Sequence, residues 1–211
     1  MQQRSRATIT AVLDAAHHLF GTTGFAGVGI DGVALACGRT KGAIYHHFAT
    51  KEALFEEVFR IEQRRIADLV VAAATSPDPT TALAQGLTAY VEEIATNPRA
   101  ARITLLDAPG VLGHERWRRC DDGPFRAMLD GTLAAIARSG GLDGLDVERD
   151  AVTDLILGAV TETAFVVATS PSPEALGRSR ARACVALVHG LLRPPEPASP
   201  PAEPSRGDQG M

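Results

Sequence analysis

Within one eleven-residue run, 38–48 (GRTKGAIYHHF), four side chains able to make polar contacts lie close together: Thr40, Lys41, Tyr45 and His46. A hydroxyl, an ammonium, a phenol and an imidazole at this spacing suit hydrogen bonding to phosphate oxygens and base edges. The residues around them say how they are held. Val33, Ala34 and Ala36 are small and apolar, and Gly38 then breaks their helix. Thr40 can cap the next helix. Ile44 and Phe48, four residues apart, share the face that packs inward, which leaves Lys41, Tyr45 and His46 directed elsewhere. The pattern predicts a helix-turn-helix, a unit that places its second helix in a DNA major groove.

The net charge of −4 argues at first against a nucleic-acid partner. Its distribution reverses that argument. Residues 1–65 carry eight Lys and Arg against six acids, a balance of +2, so the remainder carries −6. The only two lysines, Lys41 and Lys51, both fall in or beside the candidate unit. Hydrophobic residues make up 45% of the 211-residue chain, enough for a buried core in one large domain or two small ones. No uninterrupted run of 18 apolar residues is present, and MQQRSRATIT lacks the apolar segment of a signal peptide, so the expectation is a cytoplasmic protein. Cys37, Cys120 and Cys184 form no metal-ligand spacing and read as reduced residues. Cys120, beside Arg118 and Arg119, has the electropositive setting of a reactive thiol, with plain core or surface packing as the other reading. Neither His17-His18 nor His46-His47 has a Cys or carboxylate at ligand spacing. No metal and no cofactor is expected, and no catalytic constellation is found.

Periodicity predicts helices over 7–20, ended by Gly21 and Gly24, then over 30–36, 40–46 and from 51 to about 74. Thr50 caps the last of these, whose apolar stripe runs through Leu54, Val58, Ile61, Ile66 and Leu69. Asp78-Pro79 and Asn97-Pro98 are cap-plus-proline starts for the next two. Pro109-Gly110 predicts a break, and Gly123-Pro124 a break or kink in the long helical stretch 112–139. Helices over 147–169 and from 173 to about 192 follow. The proline-rich end, 193–211, predicts a disordered tail. The fold class is therefore all-α, with about nine helices and no strand-period segment.

Residues 40–58, TKGAIYHHFATKEALFEEV, resemble the signature of the tetracycline-repressor (TetR) family of bacterial regulators. The resemblance spans about 6–66, and the helix AVLDAAHHLFGTTGF agrees as well. Beyond it, LLDAPGVLGHERW is similar to one group of the family's ligand-binding domains. The resemblance implies an N-terminal three-helix DNA-binding domain (6–66), a C-terminal helical ligand-binding and dimerisation domain (67–192), and the tail. It departs from the family at Gly29, where a Ser or Thr usually caps the second helix, and at Gly123-Pro124.

On that basis the expected DNA contacts are Arg39, Thr40, Lys41, Gly42, Ala43, Tyr45, His46, His47 and Lys51. Lys41 would donate to guanine or to phosphate, Gly42 would let the backbone approach, and Tyr45, His46 and Lys51 would meet phosphates. His47 either packs or contacts phosphate. Arg4 and Arg6 offer a basic arm. Small and apolar faces of the last two helices (Gly158, Ala159, Thr163, Val167; Ala181, Val185, Val188, Leu192) suit a two-fold dimer that would match a palindromic operator in double-stranded DNA. The expected small-molecule contacts are Thr104, Asp107, His114, Trp117 and Glu162; Asp107 reads equally as a helix-end residue and Glu162 as an interface hydrogen-bonder. The implied function is a transcriptional regulator, in the simplest case a repressor released by a small-molecule effector. The alternatives are a ligand-sensing helical protein that does not bind DNA and a helical-bundle enzyme.

Overall fold

The computed structural model describes residues 2–142 and 147–192, with the side chains of 2–4 and 120–122 excepted. The tail from 193, the Arg4 side chain and the Cys120 thiol lie outside the described residues. Among the described residues there are ten α-helices and no strand: α1 (Gln2–Thr23), α2 (Ile30–Cys37), α3 (Lys41–His47), α4 (Lys51–Ala73), α5 (Pro79–Thr96), α6 (Pro98–Ala101), α7 (Ala108–Leu112), α8 (His114–Arg138), α9 (Arg149–Ala168) and α10 (Pro173–Leu191). A π-helical segment, Arg102–Asp107, joins α6 to α7.

The capping chemistry explains most starts. Thr40, Thr50, Asp78 and Asn97 each accept a hydrogen bond from the backbone N–H three residues on, as caps do. Gly38 ends α2 at φ 63°, a conformation that glycine adopts without strain. Its carbonyl-seeking N–H closes the turn that aims α3.

Four expectations need correcting. Helix α1 runs through Gly21 and ends only at Gly24, φ 86°. Gly21 serves packing instead: a Cβ there would lie 2.9 Å from Arg99 Cβ. The same helix reaches back to Gln2, so Arg6 is an exposed helical residue and not part of a free arm. Pro109-Gly110 does not break the chain; Pro109 sits in the first turn of α7, and Gly113 at φ 78° makes the bend. A proline cannot bond back to the carbonyl four residues earlier and crowds it, and the wider π turn lies immediately upstream. Helix α8 is likewise continuous across Pro124. Buried Trp117 anchors it on one side, and Phe125, edge-on to Tyr90 at 5.4 Å, anchors it on the other.

The buried face of α4 is wider than the expected stripe. Leu54, Val58 and Ile66 are buried as expected, Phe55, Phe59, Glu62 and Val70 are buried beside them, and Ile61 and Leu69 are only half-buried. Phe20, Phe25 and Phe55 form a ring cluster with centroids 5.2 to 5.8 Å apart that joins α1, the turn after it and α4. Helix α10 packs closely on α5, where a Cβ on Gly177 would meet Ala95 Cβ at 2.6 Å. Helix α9, with mean hydropathy 1.6, is long and apolar enough by composition to match a membrane span. Its surroundings are those of a core helix: Val152, Ile156, Ala164 and Val167 are buried, Thr153 donates to Asp130, and Asp154 pairs with Arg126.

Candidate nucleic-acid interface and effector cavity

Helix α3 is two turns long, and Ile44, fully buried, is its anchor. Phe48 is half-buried against the same core. Arg39, Thr40, Lys41, Gly42, Tyr45 and His46 are exposed, while Ala43 and His47 are half-buried. The His46 and His47 rings meet edge-on at 5.0 Å. The space that a side chain at Gly42 would fill is empty of protein atoms. Lys41 Nζ donates to Asp31 Oδ2 at 3.0 Å, a bond that raises the Lys41 pKa together with the charge of Asp31. Both groups are exposed, so a phosphate could compete for the ammonium.

Lys51 behaves differently from its expected phosphate role. Its ammonium donates to the carbonyls of Phe25 (2.9 Å) and Val28 (3.0 Å) and lies 3.9 Å above the Phe25 ring. These contacts tie the start of α4 to the turn between α1 and α2. Lys51 is therefore engaged within the chain, with two of its three donors already partnered.

Among the described residues, three polar links join this N-terminal unit to the helical body, and sequence reading identified none of them. His17 Nε2 meets Glu62 Oε2 at 2.6 Å, and Arg65 binds both Glu62 (2.7 Å) and Glu93. Burial alone would push the Glu62 carboxyl up; the hydrogen bonds from His17 and Arg65 outweigh it and hold the pKa below its ordinary value. Glu56, also buried, pairs with Arg60 and, at 2.5 Å, with Arg116 of α8. Asp107 Oδ2 accepts the Phe25 backbone N–H at 2.7 Å. The signal for Glu62 was its place on the buried face of α4, four residues after Val58 and four before Ile66.

The expected effector contacts do not come together. Thr104 donates its hydroxyl to Ala100 O (2.8 Å), and its carbonyl accepts Trp117 Nε1 (3.0 Å). Trp117 is buried against Phe165, with exposed His114 beside it. Asp107 is engaged by Phe25, and Glu162 is exposed on α9. An apolar cavity of about 110 Å³ lies elsewhere among the described residues. Its walls are Val70 and Ala74 at the end of α4, Leu83, Leu87 and Tyr90 of α5, Phe125, Met128 and Thr132 of α8, and Ile156 and Thr161 of α9. The expected dimer face also needs revision: Val167, Ala181, Val188 and Leu192 are buried within the chain. The large apolar residues that α9 and α10 expose are Leu155, Val166 and Leu187.

Two family models match. Residues 12–58 match bacterial regulatory proteins, tetR family, and residues 80–191 match the tetracyclin repressor-like C-terminal domain. Among curated relatives, the chain is 34% identical over 65 residues to the HTH-type transcriptional regulator UidR of Escherichia coli, covering 31% of this chain and 33% of that protein. It is 31% identical over 127 residues to the HTH-type transcriptional regulatory protein RaaS of Mycobacterium tuberculosis, covering 60% of this chain and 58% of the relative. The chain thus spans about a third of the length of the first of these relatives. A TetR-family transcriptional regulator from Pectobacterium atrosepticum has the same fold, with TM-score 0.77 and 26% identity over 93% of this chain and all of that one.

Proposed function

Because the chain belongs to the tetR family of bacterial regulatory proteins, we propose that it is a sequence-specific DNA-binding transcriptional regulator, acting as a cytoplasmic homodimer. The observation that carries this reading is the outward face of α3. Its polar side chains stand at the surface, Ile44 holds the helix from behind, and nothing within the protein requires the open space at Gly42. Arg39, Thr40 and Lys41 at the N-terminal end reach base edges, while Tyr45 and His46 meet phosphates. A second copy covers Leu155, Val166 and Leu187, and the two-fold axis sets the spacing of two α3 helices on a palindromic operator.

The protein represses by occupying the operator and leaves it when a small molecule enters the cavity. Helix α4 connects the two events: Val70 and Ala74 at its end line the cavity, while Lys51 and Glu62 grip the N-terminal unit. An effector that fits one setting of α4 better than another shifts the population between DNA-competent and released states. A gel shift with DNA upstream of the protein's own gene tests the reading. The double variant Lys41→Ala, Tyr45→Ala is expected to abolish a salt-sensitive shift while the protein stays folded. Unchanged binding would remove α3 as the reading helix.

A further inference from the structure

We infer that the effector is an uncharged, mainly apolar compound of about one ring, an assignment that rests on the regulatory reading above only for its biological consequence. The cavity of about 110 Å³ is lined by no Asp, Glu, Lys, Arg or His. Its polar groups are the hydroxyls of Tyr90, Thr132 and Thr161. Thr132 already donates to the Met128 carbonyl at 2.9 Å, so toward a ligand its oxygen acts as an acceptor. A carboxylate, phosphate or ammonium placed there would lose its hydration without gaining a counter-ion, the costliest kind of burial. A single hydroxyl on the ligand can be satisfied; a charge cannot.

The nearby cations do not alter this. Arg126, next to cavity-lining Phe125 in sequence, pairs with Asp154; Arg119 pairs with Glu115, and Arg116 with Glu56. Each of these guanidiniums is therefore already paired with an acid. Size sets the other bound. An apolar protein cavity of about 150 Å³ holds benzene, so a site of about 110 Å³ takes at most one ring or a short alkyl chain before its walls must move. Gly86 keeps those walls close, since a Cβ there would already press on Val70 Cγ1 at 3.1 Å.

Three compounds of one shape test the assignment. Benzyl alcohol, benzoate and benzylammonium are titrated into the full chain at pH 7, without DNA, by calorimetry and thermal shift. Benzyl alcohol is expected to bind saturably and the two ions at least about 100-fold more weakly. Equal or tighter binding of either ion overturns the inference, as does failure of benzyl alcohol to bind. Ala82→Phe, which puts a ring into the cavity from the α5 wall, should remove benzyl alcohol binding; retained binding in a folded variant places the ligand elsewhere and also overturns it. Leu87→Ala, which enlarges the cavity, should bind 2-naphthylmethanol more tightly than the unmodified chain does. No gain there counts against the site. The regulatory reading fails separately: a chain that binds benzyl alcohol but shifts no DNA sinks that reading and leaves the cavity assignment standing.

Discussion

In and just before α3, the side chains of Arg39, Tyr45 and His46 are exposed and enter no hydrogen bond among the described residues. In the helical body, Thr104, Asp107 and Trp117 also carry polar groups, and each is engaged inside the chain. The first set is therefore open to a partner and the second is not. Residue type alone does not separate them. What separates them is whether the fold has already supplied a partner for each donor and acceptor, which is close to a requirement for buried polar groups. Lys41 and Lys51 make the same point with one residue type, since the first holds an exposed acid and the second two backbone carbonyls.

Trp117 is the severest test of this contrast. Trp117→Ala should cost about 3–5 kcal/mol in urea unfolding, because it empties a buried ring site and orphans the Thr104 carbonyl. A variant with unchanged stability and lost benzyl alcohol binding would return Trp117 to the effector site. Acid is the next lever. The folded-state pKa of Glu62 is depressed, so its contribution to stability is present above the ordinary carboxylate range and disappears as pH falls through that range and below. Thermal melts from pH 7 to pH 3 should show a drop that Glu62→Gln flattens; parallel curves would mean that the His17 and Arg65 bonds contribute nothing.

The two lysines give a more delicate comparison. Lys41→Met should reduce the salt slope of operator binding by about 0.9 per lost phosphate contact and leave the melting temperature nearly unchanged. Lys51→Met should do the opposite, lowering the melting temperature with the slope preserved. Exchanged outcomes would invert the assignment of reader and scaffold. Gly29→Ser is the smallest change. Gly29 caps α2 in an extended conformation with no side-chain bond and open space around it, so a hydroxyl should add a few tenths of a kcal/mol. It should also strengthen DNA binding if a phosphate lies within reach, read in the same gel shift.

The features legible in the sequence are those decided within a few residues. Thr40, Thr50, Asp78 and Asn97 cap because their oxygens need only a donor three positions away. Gly38 ends α2 by the same local logic, and α3 follows from it. Gly21 could not be interpreted that way, since its purpose lies with Arg99 on another helix. Pro109 and Pro124 signalled breaks, yet packing on either side kept their segments helical. The cavity has walls from four helices, so no single stretch displays it. Glu62 was hidden for a different reason: an acid on a buried stripe looks like an interruption until His17 and Arg65 are beside it.

The π turn between α6 and α7 has a consequence of a geometric kind. An α-helix advances about 100° per residue, and a π turn takes in roughly one residue more. Everything from Ala108 onward is thereby set about one residue's rotation away from where an unbroken α-helix would leave it. Asp107 closes that turn, and from this setting its carboxylate reaches the Phe25 N–H. The connection between reader and body is held as a phase angle as much as a bond. An insertion or deletion of one residue between Asn97 and Asp107 would rotate the carboxylate away from Phe25 while leaving both residues in the chain.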